Sequence, residues 1–107
     1  MGTQFERGAV TSVVKVEKKT PKIGRPSLYE VYLLNDDYTP MDFVVVVLEK
    51  FFAMSTPHAL TVMLKVHREG KATCGVYTRD IAETRVVQVN EFARLNEHPL
   101  LCKMKKM

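Results

Sequence analysis

The segment Asn35-Asp36-Asp37-Tyr38-Thr39-Pro40-Met41 sets a carboxamide and two adjacent carboxylates between a strand-like run and a helix start. Two readings fit it. One is a turn stitched by Asx hydrogen bonds together with a helix cap. In the other, the three acceptor side chains converge on a cation, and an ammonium group suits them because it needs acceptors in several directions and little volume. His67 is the second candidate: it lies one helical turn after Met63, with Val66 adjacent to that stripe. A lone histidine on an apolar helix face is ordinarily a satisfied core residue, and methionines at helical spacing are ordinarily core as well. Placed beside Asn35, however, His67 becomes a further acceptor. Met41, Met63 and Val66 then form an apolar wall next to a polar corner, the arrangement of a small-ligand site with few fixed polar groups.

Other chemistry has less behind it. The chain has no GxSxG elbow, phosphate-cradling glycine loop or HExxH pair. A nucleophile pair of Cys74 with His67 has no geometric reason to meet across the seven-residue separation. Asp36, Asp37 and His67 have the ligand types of a metal site, but side chains from adjacent positions rarely point the same way without a dedicated loop. Cys74 and Cys102 lack CxxC partners and are expected to be buried free thiols, so no metal and no cofactor is expected. A binding module without enzymatic activity therefore leads, with a metal-dependent hydrolase and a small RNA-binding domain as the alternatives.

The elements that must position these residues are readable from pattern. Leu28-Tyr29-Glu30-Val31-Tyr32-Leu33-Leu34 is a strand stopped by the polar turn. Thr39 as N-cap, Pro40 at the first helical position and Asp42 three residues after Thr39 predict a helix start. The valine-rich run that follows has the composition of a strand, yet Phe43, Val44, Val47, Leu48, Phe51 and Phe52 recur at helical spacing, and periodicity with caps outvotes propensity. Thr56-Pro57 opens a second helix through Glu69, closed by Gly70, with Leu60, Met63, Leu64 and His67 on one face. A strand over 71–78 follows. Asp80 lies near the start of a helix reaching about Asn96, with Ala82, Val86, Val89 and Ala93 inward. Pro99 to Met104 completes the set. The expected fold is α+β, three helices on a small, three-stranded, mainly antiparallel sheet in the order β-α-α-β-α-β.

Composition bounds the function. At 107 residues and 46% apolar the chain makes one core. No run approaches the roughly 18 to 20 apolar residues of a membrane span, and the first residues lack the basic-then-apolar pattern of a secretory signal, so a cytoplasmic protein is expected. The net charge of +4 belongs to residues 1–27, which hold six basic and two acidic side chains; residues 28–107 carry ten of each. The folded part therefore has no net positive field to draw it to nucleic acid. Residues 1–27, with Pro21, Gly24, Pro26 and a lysine-rich middle, are expected to be a flexible basic extension.

Five segments stand together in order: Asn35 to Met41, Met63-x-x-Val66-His67, Cys74-Gly75-Val76-Tyr77-Thr78, Ala82-Glu83-Thr84 and Glu97-His98-Pro99-Leu100. In these the chain resembles ClpS, the family of bacterial adaptors that bring proteins with destabilising N-terminal residues to the ClpAP protease. The resemblance covers about residues 26–107. It implies an α-amino-binding set of Asn35, Asp36, Asp37 and His67, in which Asn35 and His67 contact the free α-amino group of a substrate, Asp37 acts through a bridging water, and Asp36 flanks the peptide. The pocket for the first side chain corresponds to Leu33, Leu34, Thr39, Met41, Val44, Met63, Val66 and Leu100, with Met41 as a gate against β-branched residues. The implied docking face for the ClpA unfoldase falls on Asp80, Glu83 and Arg85, where the family's Glu and Lys are here Asp80 and Arg85. The implied partners are ClpA and N-degron substrates, with no nucleic acid and no membrane, and the adaptor is expected to be a monomer.

Overall fold

The computed structural model describes residues 26–107, and the predicted extension at residues 1–27 lies almost wholly outside them. The elements are β1 (Leu28–Leu34), α1 (Met41–Phe52), α2 (Thr56–Glu69), β2 (Lys71–Thr78), α3 (Arg79–Leu95) and β3 (Leu101–Lys106). The predicted α+β order holds. The sheet is antiparallel throughout, in the order β2-β1-β3.

β1 is the central strand, and its period-two alternation decides which face is covered. Val31 and Leu33 are fully buried with Ala72 of β2 and Cys102 of β3, and the helices pack over this face. Between β1 and β2 the register slips at Val31/Tyr32, leaving Cys74 as the extra residue of a bulge. At Gly75 beside it the Tyr77 ring lies over the backbone, and a Cβ there would have to displace that ring.

α1 buries Val44, Val47 and Leu48, so the β-branched run is helical because its stripe meets the core. Phe43 and Phe51 both contact Phe92 of α3 at ring-centroid distances of 5.3 Å, one stacked and one edge-on. The expected Thr39–Asp42 capping box does not form. Pro40 occupies the N-cap, no side chain caps the helix, and the N–H and hydroxyl of Thr39 are both given to Asp36.

α2 starts one residue earlier in its cap than expected. Ser55, not Thr56, is the N-cap and accepts from the N–H of His58 at 3.4 Å, while the Thr56 hydroxyl turns to Glu49. Its buried face is Ala59, Val62, Met63 and Val66; Leu60 and His67 are exposed. Of the predicted face Leu60, Met63, Leu64 and His67, Met63 is buried as expected and Leu64 half-buried, but the stripe is rotated toward Ala59, Val62 and Val66. Gly70 ends the helix as predicted, with φ 91° and its N–H donated to the Val66 carbonyl at 2.9 Å.

α3 buries Ala82, Val89 and Ala93, with Val86 half-buried. β3 runs over Leu101–Lys106 rather than from Pro99, because residues before it close the turn after α3 and pairing with β1 carries the strand on to Lys106. Asn90 grips its edge from the helix: its amide oxygen accepts from the Cys102 N–H at 2.8 Å, and its amide nitrogen donates to the Cys102 carbonyl at 3.0 Å. Both cysteines are buried free thiols, as expected.

Candidate functional site

The site forms where β1 leaves the sheet and β2 enters it. Beyond the last β1–β2 pair, Leu34 with Lys71, the backbone N–H of Asn35 donates to the Gly70 carbonyl at 2.9 Å. That bond extends the ladder by one rung and fixes Asn35 against the end of α2, less than one turn beyond His67. The left-handed turn at Gly70 aims its carbonyl there.

Asp36 then folds the chain back on itself. Its Oδ1 accepts from the backbone N–H groups of Tyr38 and Thr39, both at 2.8 Å, and its Oδ2 accepts from the Thr39 hydroxyl at 2.7 Å. Burial raises the Asp36 carboxyl, but the Thr39 hydroxyl and the two backbone N–H groups, with a smaller contribution from His98, outweigh it and hold the group below its ordinary value. This Asx turn delivers the chain to Pro40 and to the first turn of α1.

The result is a concavity of about 370 Å³. Its lining combines polar side chains, Asn35, Asp36, Asp37, Thr39 and His67, with an apolar wall of Met41 and Val44 from α1 and Met63 and Val66 from α2. Val44, Met63 and Val66 are buried, whereas Met41 is 44% exposed at the lip. Tyr38 and Pro40 also line it and were not singled out from sequence, although their place between Asp37 and Met41 was the available signal. Leu33, Leu34 and Leu100 do not line it. Leu33 and Leu100 are in the core, and Leu34 is paired between Lys71 and Leu101 in the sheet. Among the described residues no group of three or more histidine, cysteine, aspartate or glutamate side chains is placed to hold a metal ion, so Asp36, Asp37 and His67 are not assembled as a ligand set.

The residues weighed as a docking face lie on the first two turns of α3. Asp80 and Glu83 border one shallow depression with Thr84, Val87 and Gln88, and Val87 is 66% exposed. Glu83 is paired with Arg79 at 3.2 Å. Arg85 lies outside that depression: half-buried, its guanidinium is 5.9 Å from the Tyr77 ring centroid and donates to the Gln88 side-chain oxygen at 3.3 Å. No helix among the described residues is long and apolar enough to cross a membrane.

Residues 24–103 match the family described as ATP-dependent Clp protease adaptor protein ClpS. The chain belongs to the ClpS family. An ATP-dependent Clp protease adapter protein ClpS from Xanthomonas oryzae pv. oryzae (strain MAFF 311018) is 56% identical over 91 residues, covering 85% of this chain and 86% of that one. Its counterpart from Xylella fastidiosa (strain M12) is 57% identical over 91 residues with the same coverage. Among solved structures, Agrobacterium tumefaciens ClpS2 bound to L-phenylalaninamide superposes with a TM-score of 0.76 at 43% identity, covering 78% of this chain and all of that one. The β-α-α-β-α-β frame around the concavity is therefore a ClpS frame, and the adaptor role of the family is the setting in which the site is to be understood.

Proposed function

We propose that this ClpS-family chain is an adaptor without enzymatic activity. It binds proteins through a free N-terminal amine and a bulky first side chain (Leu, Phe, Tyr or Trp) and hands them to the ClpA unfoldase of the ClpAP protease. The observation that carries this reading is that one small concavity is lined both by acceptor side chains and by an apolar wall. It is supported by the related ClpS2, whose ligand, phenylalaninamide, joins an amine to an aromatic side chain.

An α-amine has a pKa near 8 and is mostly charged at neutral pH. Asn35 and a neutral His67 are the proposed direct acceptors, with Asp37 acting through a water; acetylation removes both the charge and two donors. Met41, Val44, Met63 and Val66 receive the side chain, Thr39 borders it, and Met41 at the lip is the proposed gate against β-branched residues. Burying a Leu or Phe side chain contributes about 1.5 to 3 kcal/mol, and each charge-assisted hydrogen bond a similar amount, before the entropy of association is subtracted. The sum allows about micromolar affinity for a short peptide, which suits a carrier that must release its cargo. An unpaired Lys or Arg side chain in the pocket is penalised by desolvation.

Asp80, Glu83 and Arg85 are the proposed contacts to ClpA, and residues 1–27 the proposed extension toward the unfoldase. The adaptor works as a cytoplasmic monomer without cofactor. The test is binding of a fluorescent peptide beginning with Phe or Leu, with and without N-terminal acetylation. Strong preference for the free amine is expected, and equal affinity would reject the reading.

A further inference from the structure

The three donors on Asp36 bear on what that residue does. Both of its carboxylate oxygens are engaged inside the turn, Oδ1 by two backbone N–H groups at 2.8 Å and Oδ2 by the Thr39 hydroxyl at 2.7 Å. We propose that Asp36 is a positioning residue which clamps the acceptor end of the concavity to its apolar wall, and that it is not itself a ligand of the substrate amine. The inference rests on the N-terminal-recognition reading above and refines it.

The geometry behind it is a two-point suspension. On one side Asn35 is tied to the sheet and to α2 through the Gly70 carbonyl. On the other, Thr39 leads directly into Pro40 and α1, whose Met41 and Val44 form part of the wall. Asp36 bridges the two sides within four residues, so it sets how far the amine acceptors stand from the wall. A carboxylate has acceptor sites for about four donors, and three of them are taken here by groups of the turn, which fix its orientation toward Thr39. Asp37 is exposed beside it, has no hydrogen bond to a described residue, and borders the same concavity. Both carboxylates border the concavity, but only that of Asp36 is engaged within the loop.

Asparagine separates the two roles because it is a good Asx-turn residue: its Oδ1 accepts the same two N–H groups and its Nδ2 donates to the Thr39 hydroxyl, while the charge is gone. The experiment measures affinity of the full chain for a Phe-initiated fluorescent peptide, free and N-acetylated, in wild type, Asp36→Asn, Asp36→Ala and His67→Ala. For a positioning residue, Asp36→Asn stays within about threefold of wild type with its free-to-acetylated ratio intact, whereas Asp36→Ala loses about tenfold or more, the scale of one or two broken charge-assisted bonds. If Asp36→Asn lowers the ratio as His67→Ala does, Asp36 is an amine ligand and the proposal is overturned; wild-type affinity in Asp36→Ala overturns it equally. Should Asp36→Ala fail to fold, Thr39→Val removes only the hydroxyl donor and is expected to cost about threefold for the free peptide with the ratio preserved; no loss there refutes the clamp. A wild type indifferent to acetylation would instead reject N-terminal recognition itself, and this inference with it.

Discussion

Gly70 and Ala53 offer a test in which one physical cause acts with opposite signs at two helix ends. Gly70, at the C-cap of α2, has φ 91°, and a Cβ built there meets nothing within 4 Å. Gly70→Ala therefore loses no packing and clashes with no neighbour; its cost is the left-handed backbone alone. That conformation costs an L-residue about 1 to 2 kcal/mol, partly offset by about 0.4 to 1 kcal/mol from the restricted unfolded chain, for a net loss near 1 kcal/mol. For a folded part of this size the melting temperature should fall by about 4 to 8 °C. Gly70→Asn should fall less, since asparagine visits this region more readily. Ala53, at the C-cap of α1, is already a non-glycine residue in the left-handed region, with φ 54° and ψ 33°, and it is exposed. Ala53→Gly should raise the melting temperature by a few degrees, up to about 1 kcal/mol of relieved strain. Thermal unfolding of the full chain followed by far-ultraviolet circular dichroism reads both changes. A Gly70→Ala variant that melts with wild type, or an Ala53→Gly variant that melts below it, would refute the argument that backbone conformation governs these two ends.

Two further outcomes follow from buried groups. Asn90→Ala removes both bonds to the Cys102 backbone and leaves that N–H and carbonyl without their side-chain partner, at a cost of about 1 to 3 kcal/mol; a urea midpoint equal to wild type would show that the β3 edge does not need the clamp. Burial pushes the thiols of Cys74 and Cys102 up to about 12 from an ordinary 9.0, the neighbouring Cys102 adding to the effect on Cys74. Because the folded thiols keep their protons longer than the unfolded ones, their contribution to stability is complete below about pH 9 and declines as pH rises toward 12. The urea midpoint should therefore drop between pH 8.5 and 11, and drop less in Cys102→Ala than in wild type when each is compared with its own value at pH 8.5. Equal slopes in the two proteins would contradict the assignment.

The parts of the fold that were legible in sequence are those decided by one periodic stripe. Phe43, Val44, Val47 and Leu48 declared α1 against their own β-propensity because the stripe had a core to meet. Gly70 declared the end of α2 because few residues accept its backbone angle. What escaped was competition between equivalent donors and acceptors. Thr39 was expected to cap α1, but Asp36 offers its N–H and hydroxyl a charged acceptor within the same turn, so the cap is lost to the Asx turn. Ser55 and Thr56 are both good caps one residue apart, and Pro57 is tolerated at either of the first two helical positions, so pattern alone did not choose between them. The face of α2 was misdrawn for a related reason. The predicted stripe through Leu60, Met63 and Leu64 and the observed one through Ala59, Val62, Met63 and Val66 share Met63 and have the same period, and packing against α1 and β2 selects the second.

The site divides along the same line. Its turn is local and was readable, because Asp36, Tyr38 and Thr39 are within reach of one another whatever the rest of the chain does. Its assembly is not local. Asn35 and His67 are brought together by the bond between the Asn35 N–H and the Gly70 carbonyl, which exists only because β1 pairs antiparallel with β2 and the left-handed Gly70 joins β2 to α2. The polar end is thereby a continuation of the β1–β2 ladder, whose rungs must open before Asn35 can move away from α2. The lip is held differently: Met41 and Tyr38 depend on the Asx turn and on the uncapped first turn of α1. Under the proposed recognition of a free amine, acceptors fixed to the sheet would hold that group in one place, the buried Val44, Met63 and Val66 would stay put, and the exposed Met41 at the lip would be the part that gives way to first side chains of different shape.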